Sequence, residues 1–403
     1  MYDTMKGVKV VEVAGYVLVP AAGAVLADWG ADVLKVEHPR TGDPYRGIRN
    51  DFVRPGLPNP MLELPNRGKR SIGIDIAQPE GRELLYELIA DADVFLTSFM
   101  SGSLARLGLE LEQVRAVNPT IVYGRATGYG RHGPDADKPS FDGAATWARA
   151  GFMHRMTAPD ADDPVLQPGS VGDLTGALSL AMGVAASLFH RERTGEAQEV
   201  DVSLLQVGMW LMAQSIAAAP LGLEPLPARA NRHNPWNPLV NPYRTSDGRW
   251  LMLTLLTPDP YWPDLCVHLE RMDLIEDPRF SDIDVRQEHA VELVELLDEV
   301  FATKTLAEWR VALDSMTGPW APALSAAELG GDEQVRANDY FPEVEGHDGT
   351  RFRTVASPVQ FGGRGVGQLE PMPECGQHTE EVLLARGYDW EALGRLKAGG
   401  VIT

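Results

Sequence analysis

The stretch "VKVVEVAGYVLVPAAGAVLADWGADVLKVE", residues 8–37, decides the fold. Its two ends, 8–14 and 31–37, are β-branched apolar runs of the kind found in strands. The small-residue segment 19–30 between them predicts a helix, and Gly30 is suited to end it. Continuous apolar strands separated by a helix indicate parallel strands in a sheet that helices cover on both faces.

The same alternation continues along the chain. Further apolar runs of strand length follow, and the segments between them have the apolar spacing of helices. The predicted strands are 71–76, 93–99, 120–126 and 199–206, and the predicted helices are 79–92, 111–119 and 173–193. The sequence therefore predicts an α/β protein with a parallel sheet.

A length of 403 residues is large for one hydrophobic core and predicts two domains. Residues 220–243 are rich in Pro, Asn and Arg, which is typical of an extended linker. A strand in "GRWLMLTLL", residues 248–256, and helices near 260–271, 288–302 and 305–315 predict a smaller second domain. The expected organisation is a large domain starting with 1–205, a helix and linker over 206–243, a small domain over 244–325, and a return to the large domain over 326–403.

The formal net charge of −21 predicts repulsion from nucleic acid and from anionic membranes. Residues 1–70 differ, because their Lys and Arg outnumber their Asp and Glu, and this segment could hold a small anionic ligand. Cys266 and Cys375 form no disulfide pattern and the first residues form no signal-peptide pattern, so a cytoplasmic location is expected. The uncharged apolar stretch 174–189 is short for a membrane span and predicts a buried helix.

Residues 128–133, "GYGRHG", have the G-x-G-x-x-G spacing of a dinucleotide-binding loop and follow a predicted strand. Such a loop binds pyrophosphate because it leads directly into the N-terminus of a helix. Here Pro134 follows, and Pro139 would break a helix within two turns. An NAD-binding site is therefore not predicted. The histidines are scattered without a metal-binding motif, so no metal and no tightly bound cofactor are expected.

Asp173 lies in "PGSVGDLTGALSLAMG", residues 168–183. An Asp directly before a helix is usually its N-cap, because the carboxylate accepts hydrogen bonds from free backbone N–H groups. Here glycines 169, 172 and 176 flank it, and the helix that follows is apolar on nearly all sides. A carboxylate at the rim of a core can also act as a nucleophile toward an activated acyl group. The residues alone leave both roles open.

Several segments, in order, resemble one family over nearly the whole chain. They are "GVKVVEVA…GADVLKVEHPRTGDPYR", "NRGKRSIGIDI", "GSLARLGL", "NPTIVYGRATGYGRHGP", "VGDLTGALSLAMGVAASLFHRERTG" and "GQHTEEVL". The chain resembles the class III coenzyme A-transferases, a family that includes formyl-CoA transferase, carnitine CoA-transferase and the α-methylacyl-CoA racemases. The resemblance implies a Rossmann-like large domain built from both chain ends, a smaller α+β domain, and an interlocked homodimer. It also implies acyl-CoA and a carboxylic acid as substrates.

The resemblance implies that Asp173 is the nucleophile, which would form an aspartyl anhydride and then an aspartyl-CoA thioester. Glycine N–H groups nearby are expected to stabilise the oxyanions. Arg106 matches an arginine near the CoA phosphates, and either His38 or Arg40 is expected to add a contact there. The CoA-binding positions that the resemblance implies are Val17, Leu18, His38, Arg40, Ile74, Asp75, Ala77, Ser98, Phe99, Met100, Arg106 and Lys138.

Three departures from the family bear on the reaction. Val17 and Leu18 lie where formyl-CoA transferase has a glutamine and its neighbour, which favours a more apolar acyl group. The racemases have a histidine before the nucleophile position for proton exchange, whereas "KPSFDGAA", residues 138–145, has Ser140 or Phe141 there. The glycine-rich loop that covers the active site in formyl-CoA transferase is not evident. We therefore expect a transferase, with a racemase and a non-catalytic acyl-CoA-binding protein as the alternatives.

Overall fold

A six-stranded sheet forms the centre of the larger part of the molecule. The structure, a computed structural model, describes residues 1–48, 53, 54, 56–159, 161–223 and 232–403. Its sheet consists of β1 Lys9–Val13, β2 Asp32–Glu37, β3 Arg70–Gly73, β4 Val94–Thr97, β5 Val122–Thr127 and β6 Glu199–Ser203, in the order β3-β2-β1-β4-β5-β6 with every neighbouring pair parallel. The predicted parallel α/β architecture is confirmed.

Helices surround and follow this sheet. In chain order they are α1 Leu18–Asp28, α2 Pro60–Asn66, α3 Pro79–Ala90, α4 Ser101–Leu107, α5 Leu111–Val117, α6 Phe152–Met156, α7 Val171–Thr194, α8 Leu204–Leu211, α9 Ala213–Ala218, α10 Trp262–His268, α11 Ile283–Glu288, α12 Ala290–Phe301, α13 Leu306–Ala312, α14 Ala326–Leu329, α15 Glu333–Ala337, α16 Thr379–Ala385 and α17 Trp390–Ala398. A π-helical segment, Gly143–Arg149, and a 3₁₀ turn, Pro44–Gly47, lie between them.

The described residues divide into two compact units. The first unit contains residues 1–154, 165–222 and 333–403, and the second contains 155–164 and 223–332. Part of the predicted linker, residues 224–231, lies outside the described residues.

The second unit has its own sheet and its own core. Its strands β7 Val240–Arg244, β8 Trp250–Thr254 and β9 Trp320–Pro322 are antiparallel in the order β7-β8-β9. Tyr243, Phe301 and Trp309 form a buried aromatic group in its core. A further hairpin, β10 Glu343–Glu345 with β11 Arg351–Arg353, belongs to the first unit.

Two hydrophobic clusters cover the faces of the large sheet. On one face α1 and α7 pack together, and Gly176 allows this approach because a Cβ there would lie 2.8 Å from a methyl group of Leu18. On the other face α3, α5, α16 and α17 contribute Leu85, Val114, Val382 and Leu393, respectively, to the second cluster. Because α16 and α17 belong to the end of the chain, residues from both ends form one core.

By length and composition alone, helix α7 is long and apolar enough to cross a membrane. Its buried side contains Gly176, Leu180 and Val184, whereas Met182 and Phe189 on the other side are exposed. The core helix of a soluble protein can have the same length and composition. The predicted buried helix over 174–189 is therefore buried along one side only.

Strand order reverses between β1 and β4, which are neighbours in the sheet although two strands separate them in sequence. In an open parallel sheet, the loops after the strands diverge at this point and leave a crevice beyond the carboxyl ends. The loops that follow Val13 and Thr97 border that crevice. The topology thus indicates where a ligand would bind.

Candidate active site

Two adjoining cavities occupy the crevice at the carboxyl ends of β1 and β4. The larger has a volume of about 560 Å³ and the smaller about 240 Å³. Both are lined by the residues that follow these two strands, namely Gly15, Tyr16, Ser98, Phe99 and Met100. The shared wall makes it possible for one long ligand to extend from the larger cavity into the smaller.

All but one of the residues expected from the sequence line these cavities. His38, Ile74, Asp75, Ala77 and Arg106 line the larger cavity, Val17, Leu18, Lys138 and Asp173 line the smaller, and Ser98, Phe99 and Met100 line both. Arg40 lies outside both linings and is exposed to solvent. Of the two residues left open as candidates for a phosphate contact, His38 thus lines the larger cavity and Arg40 does not. The His38 Nδ1 accepts hydrogen bonds from the N–H groups of Arg40 and Thr41, both at 3.3 Å.

The turn between β3 and α3 forms one wall of the larger cavity. Asp75 shapes this turn, because its side chain accepts hydrogen bonds from the N–H of Ala77 at 3.1 Å and from Nε2 of Gln78 at 3.0 Å. The N–H of Asp75 donates to the carbonyl of Val401 at 2.8 Å, and Ile74 bridges to Ile402. The last residues of the chain thus hold this wall in place.

Backbone N–H groups that donate to side-chain hydroxyls hold the wall shared by the two cavities. The N–H of Gly15 donates to the Ser98 hydroxyl at 3.3 Å, which joins the loop after β1 to the loop after β4. The N–H of Phe99 donates to the Thr97 hydroxyl at 3.2 Å. Arg106, in the last turn of α4, donates to the Ser103 hydroxyl at 3.3 Å and is otherwise exposed beside the larger cavity.

The positive excess of residues 1–70 does not gather around the cavities. Five of its cations form ion pairs with acidic groups of the same segment: Lys35 with Glu12 and Asp43, Lys69 with Glu12, Arg46 with Glu37, Arg67 with Asp28, and Arg70 with Asp32. The Lys35, Lys69 and Arg67 pairs are almost wholly buried. These cations stabilise the fold, which leaves Arg106 as the arginine that lines the larger cavity in the described chain.

Asp173 is not the N-cap of α7, contrary to the capping role left open by the sequence. The helix begins at Val171 after Ser170, which places Asp173 in its first turn. The helix is capped by Asp142, whose Oδ2 accepts hydrogen bonds from the N–H groups of Gly172 at 2.9 Å and Asp173 at 3.2 Å. The Asp173 carboxylate is therefore available to a ligand.

Asp142 is a site residue that the sequence analysis missed. It is buried at the start of the π-helical segment and also accepts a hydrogen bond from Gln167. A Cβ at Gly172 would lie 2.2 Å from Asp142 Oδ1, so a glycine is needed where the two segments meet. The available signal was the glycine directly before Asp173, which indicated a close approach without identifying its partner.

The surroundings of Asp173 disfavour its negative charge. The carboxylate is half-buried, and none of the described residues donates a hydrogen bond to it. Burial and the nearby charge of Asp142 raise the pKa of Asp173 to about 7. Burial and the charges of Asp173 and Asp43 likewise raise the pKa of Tyr45. At neutral pH a carboxylate with this pKa is present in both protonation states, and its ionised form has few interactions to lose on reacting.

The loop 128–133 leads into no helix, as its prolines indicated. The next helical segment in the described chain is Gly143–Arg149, after Lys138, Ser140 and Phe141 have lined the smaller cavity. No histidine is among the described residues that line this cavity. An imidazole for proton exchange at Asp173 is therefore missing from its lining.

The two free thiols of the chain have little reactivity. Cys266 is buried in the core of the second unit, and Cys375 is half-buried with its Sγ 3.8 Å from the carbonyl oxygen of His38. Burial is the main cause that raises the pKa of Cys375 to about 11 and that of Cys266 to about 12. Since the thiolate is the reactive form, neither thiol is suited to act as a nucleophile at neutral pH.

The chain is similar to known CoA-transferases. The family model of CoA-transferase family III matches residues 5–379. The (R)-2-hydroxy-4-methylpentanoate CoA-transferase of Clostridioides difficile is 34% identical over 99% of both chains. The cinnamoyl-CoA:phenyllactate CoA-transferase of Clostridium sporogenes is 32% identical over 98% of this chain and 96% of that protein.

A solved structure has the same fold. The crystal structure of Rv3272 from Mycobacterium tuberculosis superposes with a TM-score of 0.80 at 30% identity and covers 93% of this chain and 98% of that chain. The family match extends over both units, and the relatives correspond along nearly their whole length. The chain belongs to CoA-transferase family III and is a CoA-transferase.

Proposed function

We propose that this enzyme transfers CoA from an acyl-CoA thioester to a carboxylic acid through covalent intermediates on Asp173. One observation carries the proposal: a half-buried carboxylate without a hydrogen-bond donor among the described residues lines a small, mainly apolar cavity. Carboxylates in proteins are normally hydrogen-bonded or ion-paired when they lose contact with water. A carboxylate left free in this way is poised to attack an electrophile.

The reaction consists of four attacks at carbonyl carbon. An ionised Asp173 oxygen attacks the thioester carbon, the C–S bond breaks, and CoA thiolate leaves an acyl-aspartyl anhydride. The thiolate attacks the side-chain carbonyl of Asp173, releasing the donor acid and forming an aspartyl-CoA thioester. The acceptor carboxylate attacks that thioester, giving a second anhydride and thiolate. The thiolate then attacks the acceptor's acyl carbon, which releases the new acyl-CoA and restores the carboxylate.

The expectation that nearby glycine N–H groups stabilise the oxyanions does not extend to Gly172 and Gly176 of helix α7. The Gly172 N–H is already bound to Asp142, and Gly176 lies within the helix. Helix α7 therefore contributes the nucleophile, and we expect the donors for the oxyanions among other N–H groups of the cavity lining.

The larger cavity would hold the nucleotide end of CoA. Arg106 and His38 are placed to approach its phosphates, and the turn Ile74–Ala77 to pack against its base. The pantetheine arm would then pass Ser98 and Met100, which line both cavities, to bring the thioester to Asp173. A bound acyl-CoA would thus extend from the larger cavity into the smaller one.

The lining of the smaller cavity favours apolar acyl groups. Val17, Leu18, Met100, Phe141 and Leu204 contribute hydrocarbon surface around Asp173. We therefore propose monocarboxylic acids with a branched or aromatic chain as substrates, similar to those named for the relatives from Clostridioides difficile and Clostridium sporogenes. Arg125 and Lys138 also line this cavity, so the test below includes dicarboxylates as the competing class of acceptor.

The test is a transfer assay combined with capture of the intermediate. Purified enzyme is incubated with cinnamoyl-CoA and, in separate reactions, with phenyllactate, 2-hydroxy-4-methylpentanoate, succinate or glutarate, and new CoA esters are identified by mass spectrometry. We expect the first two acids to accept CoA in preference to the dicarboxylates. Enzyme incubated with acyl-CoA alone should carry an adduct on Asp173 that hydroxylamine removes.

The control is Asp173→Asn, which keeps the size of the side chain. An adduct on the Asn variant, or transfer at the wild-type rate, would refute covalent catalysis by Asp173. Incorporation of solvent deuterium at the α-carbon of a 2-methylacyl-CoA would instead identify a racemase, although the cavity lining lacks the histidine that such a reaction uses in this family. Binding of acyl-CoA without either reaction would identify a non-catalytic binding protein.

We also propose that the enzyme is a homodimer. Apolar side chains of α7, α8 and the turn after α9 are exposed, among them Met182, Phe189, Trp210 and Leu221. Exposed apolar surface of this extent marks a contact with another protein. Light scattering after size-exclusion chromatography should give twice the mass of one chain, and a monomer at micromolar concentration would refute the proposal.

A further inference from the structure

Tyr16 has a backbone conformation that a tyrosine rarely adopts. Its φ is +68°, in the left-handed region that a bulky L-residue enters only under constraint. Among the described non-glycine residues, only Glu270 and Asp339 share a positive φ, and neither lines a cavity of the candidate active site. Strained residues that persist in a fold are concentrated at functional sites, so this outlier requires a reason.

A buried ion pair holds Tyr16 in this conformation. Asp43 Oδ1 accepts hydrogen bonds from the N–H groups of Tyr16 at 3.1 Å and Tyr45 at 2.9 Å. Asp43 Oδ2 is 2.8 Å from Nζ of Lys35, which also contacts Glu12 Oε1 at 3.0 Å. These charged groups are buried, so the network cannot relax into water. The strain is therefore maintained by groups that lie beneath the cavities.

The constraint directs an aromatic ring toward the nucleophile's cavity. The ring of Tyr16 meets Phe141 edge to face, with centroids 4.9 Å apart, and both residues line the smaller cavity with Asp173. Both rings are exposed, Tyr16 to 36% and Phe141 to 61%. Neither ring is thus part of the buried core, and their contact bridges the loop after β1 and the loop before the π-helical segment.

We propose that Tyr16 and Phe141 form an aromatic cover that excludes water from the intermediates on Asp173. The proposal rests on the covalent function proposed above. Without a cover, water would attack the acyl carbon of the anhydride, the bond from that carbon to the Asp173 oxygen would break, and a proton would pass to the CoA thiolate. The net reaction would be hydrolysis of acyl-CoA to acid and free CoA. Exclusion of water from a closed site suppresses this side reaction.

The cover would take the place of the family's glycine-rich loop, which is not evident in the small domain of this sequence. Its two members come from the first unit, and the conformation of one member is fixed by the Lys35–Asp43 pair. Tyr16 also borders the larger cavity, so the arm of a bound CoA would pass beside its ring. A bound acyl-CoA would then complete the enclosure, because its own hydrocarbon would fill the gap beside the exposed rings.

The test compares hydrolysis with transfer in Tyr16→Gly, Tyr16→Phe and Phe141→Ala. Hydrolysis is the release of free CoA from cinnamoyl-CoA without an acceptor acid, and transfer is the rate with phenyllactate present. Tyr16→Gly removes the ring and the backbone strain, and we expect its hydrolysis-to-transfer ratio to rise by about tenfold or more. Tyr16→Phe retains the ring and should keep the low ratio of the wild-type enzyme. Phe141→Ala changes an exposed side chain and should raise the ratio even if Tyr16→Gly fails to fold.

The outcomes separate this inference from the proposed function. A wild-type enzyme without transfer activity and without an adduct on Asp173 would refute the covalent mechanism. A wild-type enzyme that transfers CoA, together with an unchanged ratio in folded Tyr16→Gly or in Phe141→Ala, would refute the cover alone. A raised ratio in Tyr16→Phe would show that the hydroxyl group, rather than the ring, is responsible, and would also refute the cover.

Discussion

The ion-paired carboxylates of the first unit and the carboxylate of Asp173 have opposite surroundings. Glu12, Glu37 and Asp43 are ion-paired and hydrogen-bonded beneath the loops after β1 and β2. Burial alone would raise the pKa of Glu37, but the hydrogen bonds and charge of Arg46, helped by Lys35, lower it to about 2. Among the described residues Asp173 has no such partner, and burial together with Asp142 raises its pKa to about 7. The paired set positions the site, whereas the unpaired carboxylate is left to react.

The largest expected effect is a loss of activity without a loss of stability on substitution of Asp173. Asp173→Asn should lower kcat by about 10³-fold or more, because the amide cannot form the anhydride. The unfolding free energy should stay the same or increase, since a poorly solvated charge near Asp142 is removed. Transfer kinetics and urea unfolding of the same preparation test this. A variant that loses stability as well as activity would place Asp173 with the structural carboxylates.

The opposite pattern is expected within the ion-pair network. Lys35→Met removes the buried cation from Asp43 and from Oε1 of Glu12. We expect this substitution to lower the unfolding free energy by about 3–5 kcal/mol. Lys6→Met, at an exposed lysine, is the matched control and should change it by less than about 0.5 kcal/mol. Equal effects of the two substitutions in urea unfolding would show that the network does not support the fold.

A change in pH should affect the stability contributions of Asp173 and Glu37 in opposite directions. The pKa of Asp173 rises from 3.8 to about 7 on folding, so its contribution to stability is lost as the pH rises through this range. Because the ionised carboxylate is the nucleophile, activity should increase about tenfold per pH unit up to about pH 7. The pKa of Glu37 falls to about 2, so its contribution is present above 4.5 and is lost as the pH falls toward 2.

Substitution of Asp173 or Glu37 separates the contribution of each carboxylate to the pH dependence of stability. The stability difference between Asp173→Asn and the wild-type enzyme should grow as the pH rises to about 7 and then level off. The stability difference between the wild-type enzyme and Glu37→Gln should shrink as the pH falls below 4.5. Differences that do not vary with pH would contradict the assigned pKa shifts.

The smallest expected effect concerns Asp142. Asp142→Asn retains an oxygen that can accept hydrogen bonds from the N–H groups of Gly172 and Asp173, but removes a negative charge beside the nucleophile. The pKa of Asp173 should fall, and the pH profile of kcat/KM should move to lower pH by less than about one unit. A profile that stays in place would show that burial alone raises the pKa of Asp173.

The same contrast explains what could be predicted from the sequence. Strands such as β1 and β2 are evident because they are buried and rich in β-branched apolar residues, although Glu12 and Lys35 are buried within them. Helix α2 and the hairpin of β10 and β11 were missed, because they are short and lack a clear apolar period. The positions of the site loops followed from the family resemblance rather than from periodicity.

Long-range partners could not be predicted. Asp142 caps a helix that begins 29 residues later, and the local pattern instead suggested that Asp173 caps its own helix. The net charge of residues 1–70 could not reveal that Lys35 and Lys69 are buried with Glu12. In both cases a charge was visible in the sequence, but its partner depended on how the loops meet in three dimensions.

The buried thiols have a practical consequence for every assay proposed above. With a pKa of about 11, Cys375 is ionised in about one molecule in ten thousand at pH 7, and Cys266 is ionised less still. The folded protein should thus be almost silent toward disulfide-based colour reagents. Free CoA carries an accessible thiol, so its release can be followed continuously in the presence of the enzyme, and a slow rise in protein-derived colour would itself report unfolding.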